Sequence, residues 1–164
     1  MGSGDLPDAR WVFGGGVFRR VCHGVVVLRP TYENVASLAA EQGVSERLKA
    51  AWQCETVKLP KAYRVDFALL RNGAVKAWAE IKNRSHLKAQ YPTLMLSLGK
   101  VMAGLELANR TGVPFLLVVQ WADEAGWLQV KGVTGLKVGG RFDRNDEQDI
   151  EPVCHFDTQE FRRL

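Results

Sequence analysis

An α/β fold with a mixed central sheet flanked by helices is predicted for this 164-residue chain by three observations. Helix-like and strand-like stretches follow one another in the order helix, three strands, helix, strand (αβββαβ). Arg71-Asn72-Gly73 is a strong hairpin turn between two of those strands. Pro114 to Gln120 is almost unbroken apolar sequence, the pattern of a strand buried on both faces. The length suits one domain with a real core, and 46% apolar and 24% charged residues is an ordinary globular balance.

Residues 1–23 read as a leader, disordered or of cloning origin, with a Gly14-Gly15-Gly16 run. They lack the basic segment followed by an apolar stretch that marks a signal peptide. The core domain is expected over residues 24–133. Gly24 to Leu28 is β-branched and strand-like, and Arg29-Pro30 ends it. Thr31 can cap a helix carrying Val35, Leu38 and Ala39 at helical spacing, which Gly43 interrupts. Ser45 starts a second helical piece through Trp52. Strands follow at Glu55–Leu59, Tyr63–Leu70 and Ala74–Lys82, the last two flanking the hairpin turn.

Pro92 to Asn109 reads as a helix rich in leucine, stopped by Thr111-Gly112, where Gly112 suits a left-handed cap. After the buried strand, Gly126 to Val133 is an expected edge strand. From residue 134 to 164 the chain forms an extension packed on or beside the core, with Asp143, Asp146, Glu147, Asp149 and Glu151 making part of it acidic.

No apolar run approaches the roughly 18–20 residues of a membrane span, so no membrane partner is expected. Cys22, Cys54 and Cys154 are odd in number and lack a CxxC pair, which fits a reduced, cytoplasmic protein better than a disulfide scaffold. Cys22-His23 and Cys154-His155 invite a zinc reading, but two isolated dipeptides are more often ordinary core or surface residues.

The net charge of +4 says less than its distribution. From Lys58 to Gly104 there are nine basic residues and two acids, Asp66 and Glu80. A positive field over a polyanion is one use of such a segment, and a solvated basic face is the plainer one.

Strand alternation puts Lys76, Trp78, Glu80 and Lys82 on one face and Val75, Ala77, Ala79 and Ile81 on the other. Asp66 lies on the preceding strand among Val65, Phe67, Ala68 and Leu69, where an unpartnered carboxylate would be costly. Two carboxylates on adjacent strands suit magnesium, which takes oxygen ligands and needs only one or two from the protein. Such an ion can neutralise a phosphodiester oxygen and acidify water, and a lysine beside it can orient that water or take its proton.

A bare Glu-x-Lys is weak evidence, since at about 6% usage for each residue it turns up in about half of chains this size. Its weight comes from sitting at a strand end, one hairpin after a strand-borne aspartate. The residues alone leave open a cross-strand ion pair, Asp66–Lys82 or Glu80–Arg64, without catalysis.

Tyr63-Arg64-Val65-Asp66, then Glu80-Ile81-Lys82 after thirteen intervening residues, resembles the motif of the PD-(D/E)XK nuclease superfamily. The resemblance covers roughly residues 31–121, with a tone like that of small phage-type or resolvase-like members. Val65 stands where the family name has proline, a departure that many members share. The resemblance implies a restriction-endonuclease-like core and hydrolysis of DNA phosphodiesters by metal-activated water attack. It implies that Asp66 and Glu80 bind Mg²⁺, with Mn²⁺ as a substitute, that the Ile81 carbonyl assists, and that Lys82 serves the attacking water. Members often add a glutamate from the first core helix. Glu33, Glu41 and Glu46 are the candidates, and Glu33, at the helix start, is favoured.

Arg64, Arg84, Lys88 and Lys100 are the candidate nucleic-acid contacts, although Lys100 lies among apolar neighbours and would also suit a snorkelling lysine. Gln120 ends the buried strand, more as a loop-bonded residue than a cleft residue, and His86 reads as a loop residue. Cutting both strands of a duplex would favour a homodimer.

The rival reading is a non-catalytic nucleic-acid-binding module with the same fold. A nuclease needs Asp66 and Glu80 within reach of one ion and open to solvent, whereas a binding module would show them capped by lysine or arginine. An enzyme on a phosphorylated metabolite is disfavoured, because Gly14-Gly15-Gly16 lacks the Lys-Ser/Thr of a phosphate loop.

Overall fold

A computed structural model describes residues 10–14, 17–21, 35–140 and 150–164. The expected strand at Gly24–Leu28, the helix start at Thr31, Glu33, and the acidic residues Asp143 to Asp149 lie outside these. Two units make up the chain, Met1–Glu33 and Asn34–Leu164. In the first, β1 (Arg10–Gly14) pairs antiparallel with β2 (Val17–Val21). The expected leader therefore contains a strand pair, built from good strand formers such as Trp11, Val12, Phe13, Val17 and Phe18.

In the second unit, α1 spans Val35–Trp52 without a break. Gly43 does not interrupt it, because an interior glycine costs a helix only about 1 kcal/mol and Val44 and Leu48 are buried against the sheet. Next come β3 (Glu55–Lys58), β4 (Phe67–Arg71), β5 (Ala74–Asn83), β6 (Thr93–Ser97), α2 (Leu98–Thr111), β7 (Phe115–Gln120) and β8 (Ala125–Gln129). The chain ends with β9 (Lys137–Gly140), β10 (Ile150–Asp157) and β11 (Arg162–Arg163). A six-stranded sheet has the order β11-β8-β7-β5-β4-β3. Only β5 and β7 run parallel in it, with α2 in the connection between them. This is the mixed α/β fold expected, with a second, antiparallel sheet in the order β6-β10-β9.

Three boundaries differ from expectation. The strand expected from Tyr63 starts only at Phe67, because Lys61–Tyr63 is a 3₁₀ turn and Arg64 takes a left-handed conformation at φ 57°. The helix expected from Pro92 starts at Leu98. Leu94 and Leu96 are buried while Met95 is exposed, a period of two, and their backbone pairs with β10. The edge strand expected at Gly126–Val133 is Ala125–Gln129, and β11 pairs outside it.

The hairpin forms as expected, with Asn72 and Gly73 at φ 55° and 72°, the signs a type I′ turn demands. Gly112 at φ 68° caps α2, its N–H donating to Ala108 O at 2.9 Å.

The sheet separates two cores. On one face Phe67, Leu69, Ala79, Ile81 and Val118 pack with Val44 and Leu48 of α1. On the other, Phe115, Leu117 and Val119 pack with Val101 of α2, with Leu94 and Leu96, and with Cys154, Phe156 and Phe161. Cys154, Phe156 and Phe161 of the C-terminal extension are thus part of this core. Helix α2 approaches β7 so closely that a Cβ on Gly104 would lie 2.3 Å from the Phe115 ring.

Candidate active site

Parity along β5 decides which groups meet. Trp78 packs in the α2-side core and Ile81 in the α1-side core, so Glu80 and Lys82 share the α2 side with Trp78. Glu80 is fully buried at the middle of the sheet, opposite Leu117 of β7. Asp66 sits one residue before β4, and its backbone extends the ladder by accepting from Leu59 N–H at 2.9 Å. Its Oδ2 accepts the Ile81 N–H at 3.0 Å, so a side chain takes up a donor on the neighbouring strand. The Ile81 contact with Asp66 is therefore through the amide N–H.

Two ammonium groups converge on these acids. Lys82 Nζ lies 2.6 Å from Glu80 Oε1. Lys100 Nζ, in the first turn of α2, hydrogen-bonds the same Oε1 and stands 3.4 Å from Asp66 Oδ1. Glu80 Oε2 is buried with no hydrogen-bond partner. Burial pushes the Glu80 carboxyl above its ordinary range, against the pull of Lys82 and Lys100. Burial also acts upward on Asp66, but Lys100, the Ile81 N–H and Lys82 outweigh it and hold that carboxyl below its ordinary value. Burial disfavours the Lys100 ammonium, yet Glu80 and Asp66 raise its pKa on balance.

These groups suit a divalent ion. One ammonium already touches both carboxylates, so their oxygens lie within reach of a single cation, and a buried carboxylate oxygen is left over. Among the described residues no group of three His, Cys, Asp or Glu is placed for a metal. Two carboxylates are enough for magnesium, which keeps several waters. Both sequence criteria are thus met in part: the acids lie together, but lysines cap them.

The remaining candidates separate. Glu41 pairs with Lys58, and Glu46 with Lys49 at 2.8 Å. Both are on α1, which packs on the opposite face of the sheet from Glu80. Lys88 pairs with Glu124 at 2.7 Å, donates to Phe161 O at 3.3 Å and lies over the Trp121 ring, contacts that tie its ammonium to the C-terminal segment. Arg64 is exposed beside Gly99, next to the site. The Arg84 N–H donates to Gln120 O at 2.8 Å, and its guanidinium reaches Asn83 O. Gln120 bonds Arg47 and the loop carbonyls of Trp121 and Glu124. His86 meets Leu87 O and the Tyr91 edge. Cys154 is buried in the core, and His155 bonds Thr93, which removes the zinc reading for that pair. Cys22 and His23 lie outside the described residues.

Lys100 as a partner of both carboxylates was not foreseen. The available signal was its position: a lysine in the first helical turn faces the positive end of the helix dipole.

A sequence profile of the family described as "Phage putative PDDEXK endonuclease" matches residues 27–164. No curated protein sequence matches the chain. The solved structure of Hjc, a Holliday junction resolvase from Archaeoglobus fulgidus, superposes with a TM-score of 0.50 at 16% identity, covering 74% of this chain and 90% of Hjc. That likeness is one of fold. With the profile spanning most of its length, the chain belongs to this phage PDDEXK endonuclease family of the PD-(D/E)XK nuclease superfamily.

Proposed function

We propose that the chain is a divalent-metal-dependent endonuclease that hydrolyses DNA phosphodiesters at Asp66, Glu80 and Lys82. The observation that carries this reading is the convergence of two carboxylates, one just before β4 and one on the neighbouring β5, on one cation position, with a lysine on the Glu80 oxygen. Asp66 and Glu80 would hold Mg²⁺ or Mn²⁺, with the Ile81 carbonyl assisting. When bound, such an ion supplies Lewis-acid stabilisation of charge on the phosphate and acidifies water.

The chain's own groups do the rest. The Ile81 N–H fixes the Asp66 carboxylate. Glu80 anchors Lys82, whose terminal nitrogen, partly open to solvent, orients the attacking water as the ammonium or, as the neutral amine, takes its proton. Arg64 and Arg84 supply positive charge for the phosphate backbone on either side.

The lysine caps favour a second reading, a binding module whose acids are structural. Cleavage decides between them, using labelled single-stranded, duplex, flap and four-way-junction DNA with Mg²⁺, Mn²⁺ or EDTA. The junction belongs in the panel because Hjc, which shares the fold, is a Holliday junction resolvase. Metal-dependent products support the nuclease reading, and binding without products under every metal supports the module. A homodimer, cytoplasmic location and a role for Glu33 belong to the same proposal. Among the described residues no helix is long and apolar enough to cross a membrane.

A further inference from the structure

Lys100 is no part of the Asp66–Glu80–Lys82 set, yet it touches both carboxylates of that set. Its place is a poor one for an ammonium. It is the third residue of α2, and the first turn of that helix carries no acid of its own. The helix dipole there disfavours positive charge. What offsets this is the acid pair in front of it, and Glu80 is completely buried while the Lys100 side chain is 34% exposed.

Charge balance says more. Ionised Asp66 and Glu80 face the ammoniums of Lys82 and Lys100, so the four groups sum to zero. Both ammoniums share Glu80 Oε1, and Oε2 has none. A position in contact with both carboxylates is already filled by Lys100 Nζ. A divalent ion bound to the same two residues would meet that ammonium at contact range, where like charges repel strongly in a partly buried setting.

We infer that Lys100 is a built-in stand-in for the metal ion: it holds Asp66 and Glu80 together in the metal-free protein and must withdraw for an ion to bind. This rests on the metal reading above. The flexible, partly exposed stem gives the ammonium a route into solvent. Lys100 is then a positioning residue that keeps the site assembled and weakens its metal affinity. A lysine that only braced the fold would leave that affinity unchanged or lower it.

The test is an Mn²⁺ titration of wild type and Lys100→Met, reading free Mn²⁺ by electron paramagnetic resonance, with thermal melts in parallel. Lys100→Met is expected to bind Mn²⁺ at least about tenfold more tightly, because a positive charge in contact with the ion is gone. It should melt at a lower temperature without metal and gain more from Mn²⁺ than wild type does. If metal-free Lys100→Met does not fold, recovery of its circular dichroism in saturating Mn²⁺ supports the inference, and failure to recover overturns it. Wild type that binds Mn²⁺ beside a Lys100→Met that binds no better overturns this inference alone. If neither protein binds Mn²⁺, the metal reading falls and takes the inference with it.

Discussion

The ammonium of Lys82 lies 2.6 Å from Glu80 Oε1, joining two residues that strand alternation places side by side on β5. Because Lys82 is 24% exposed and Glu80 is not exposed at all, Lys82 is the member of the pair that water can reach. Lys82→Ala is expected to lower the single-turnover cleavage rate by about 10²–10⁴-fold, the usual contribution of a proton-transfer group. Mn²⁺ binding should persist in that variant. Undiminished cleavage would remove Lys82 from the mechanism.

Glu80 is expected to make the stability of the metal-free protein depend on pH. Its folded pKa is raised by burial, so the fold favours the neutral acid. Stability should therefore decline as pH rises from its ordinary value through the raised one, and level off above that. Asp66 has the opposite sign, since its folded pKa is lowered. Its contribution is present above its ordinary value and is lost as pH falls through the lowered one. Melts of wild type and Glu80→Gln in EDTA from about pH 2 to 8 separate the two, with Asp66 acting at the acid end. The Gln variant should lack the decline that begins near the ordinary glutamate range, and a pH-independent difference would contradict the assignment.

Arg64 and Lys88, both basic residues next to the motif strands, are expected to behave differently. Arg64→Ala should weaken binding to every DNA tested and reduce the salt slope of log K by about 1, as loss of one phosphate contact does. Lys88→Ala should leave that slope unchanged, because its ammonium is held by Glu124 and the Phe161 carbonyl. Its cost should appear as a small loss of stability, about 1 kcal/mol or less for a partly exposed pair. Equal slopes for the two variants would refute this division.

Packing of α2 on β7 positions Lys100, and it depends on Gly104. A methyl there would overlap the Phe115 ring, which is itself fully buried. Gly104→Ala should destabilise the protein by about 1–3 kcal/mol, measured by urea unfolding.

Features with strong local chemistry were legible in the sequence. Asn72-Gly73 dictates its own turn, and the uniformly apolar Phe115–Val119, short and preceded by Gly112 and Pro114, suits a strand buried on both faces. Alternation along one strand is enough to place Glu80 and Lys82 on one face. The turn fixes the hairpin register only as far as Leu70 and Val75, beyond which a bulge at Lys76 shifts the pairing by one residue. Leu94, Leu96 and Leu98 misled because the run fits a helix and a strand alike. Pairing with β10, more than fifty residues on, decides for the strand up to Ser97, and no local signal carries that. The left-handed Arg64 likewise moved the strand start past Asp66. The Lys100 contact needs α2 laid across the sheet, a tertiary fact that residue spacing cannot supply.

Asp66 and Glu80 are proposed to work as one metal-dependent site. This is tested most directly by single-turnover cleavage in Mg²⁺ of the best DNA substrate, comparing wild type, Asp66→Asn, Glu80→Gln and the double variant. Groups that act as a unit are non-additive, so each single variant should lose at least about 10³-fold and the double variant scarcely more. Mg²⁺-dependent cleavage persisting at the wild-type rate in the double variant would contradict the account.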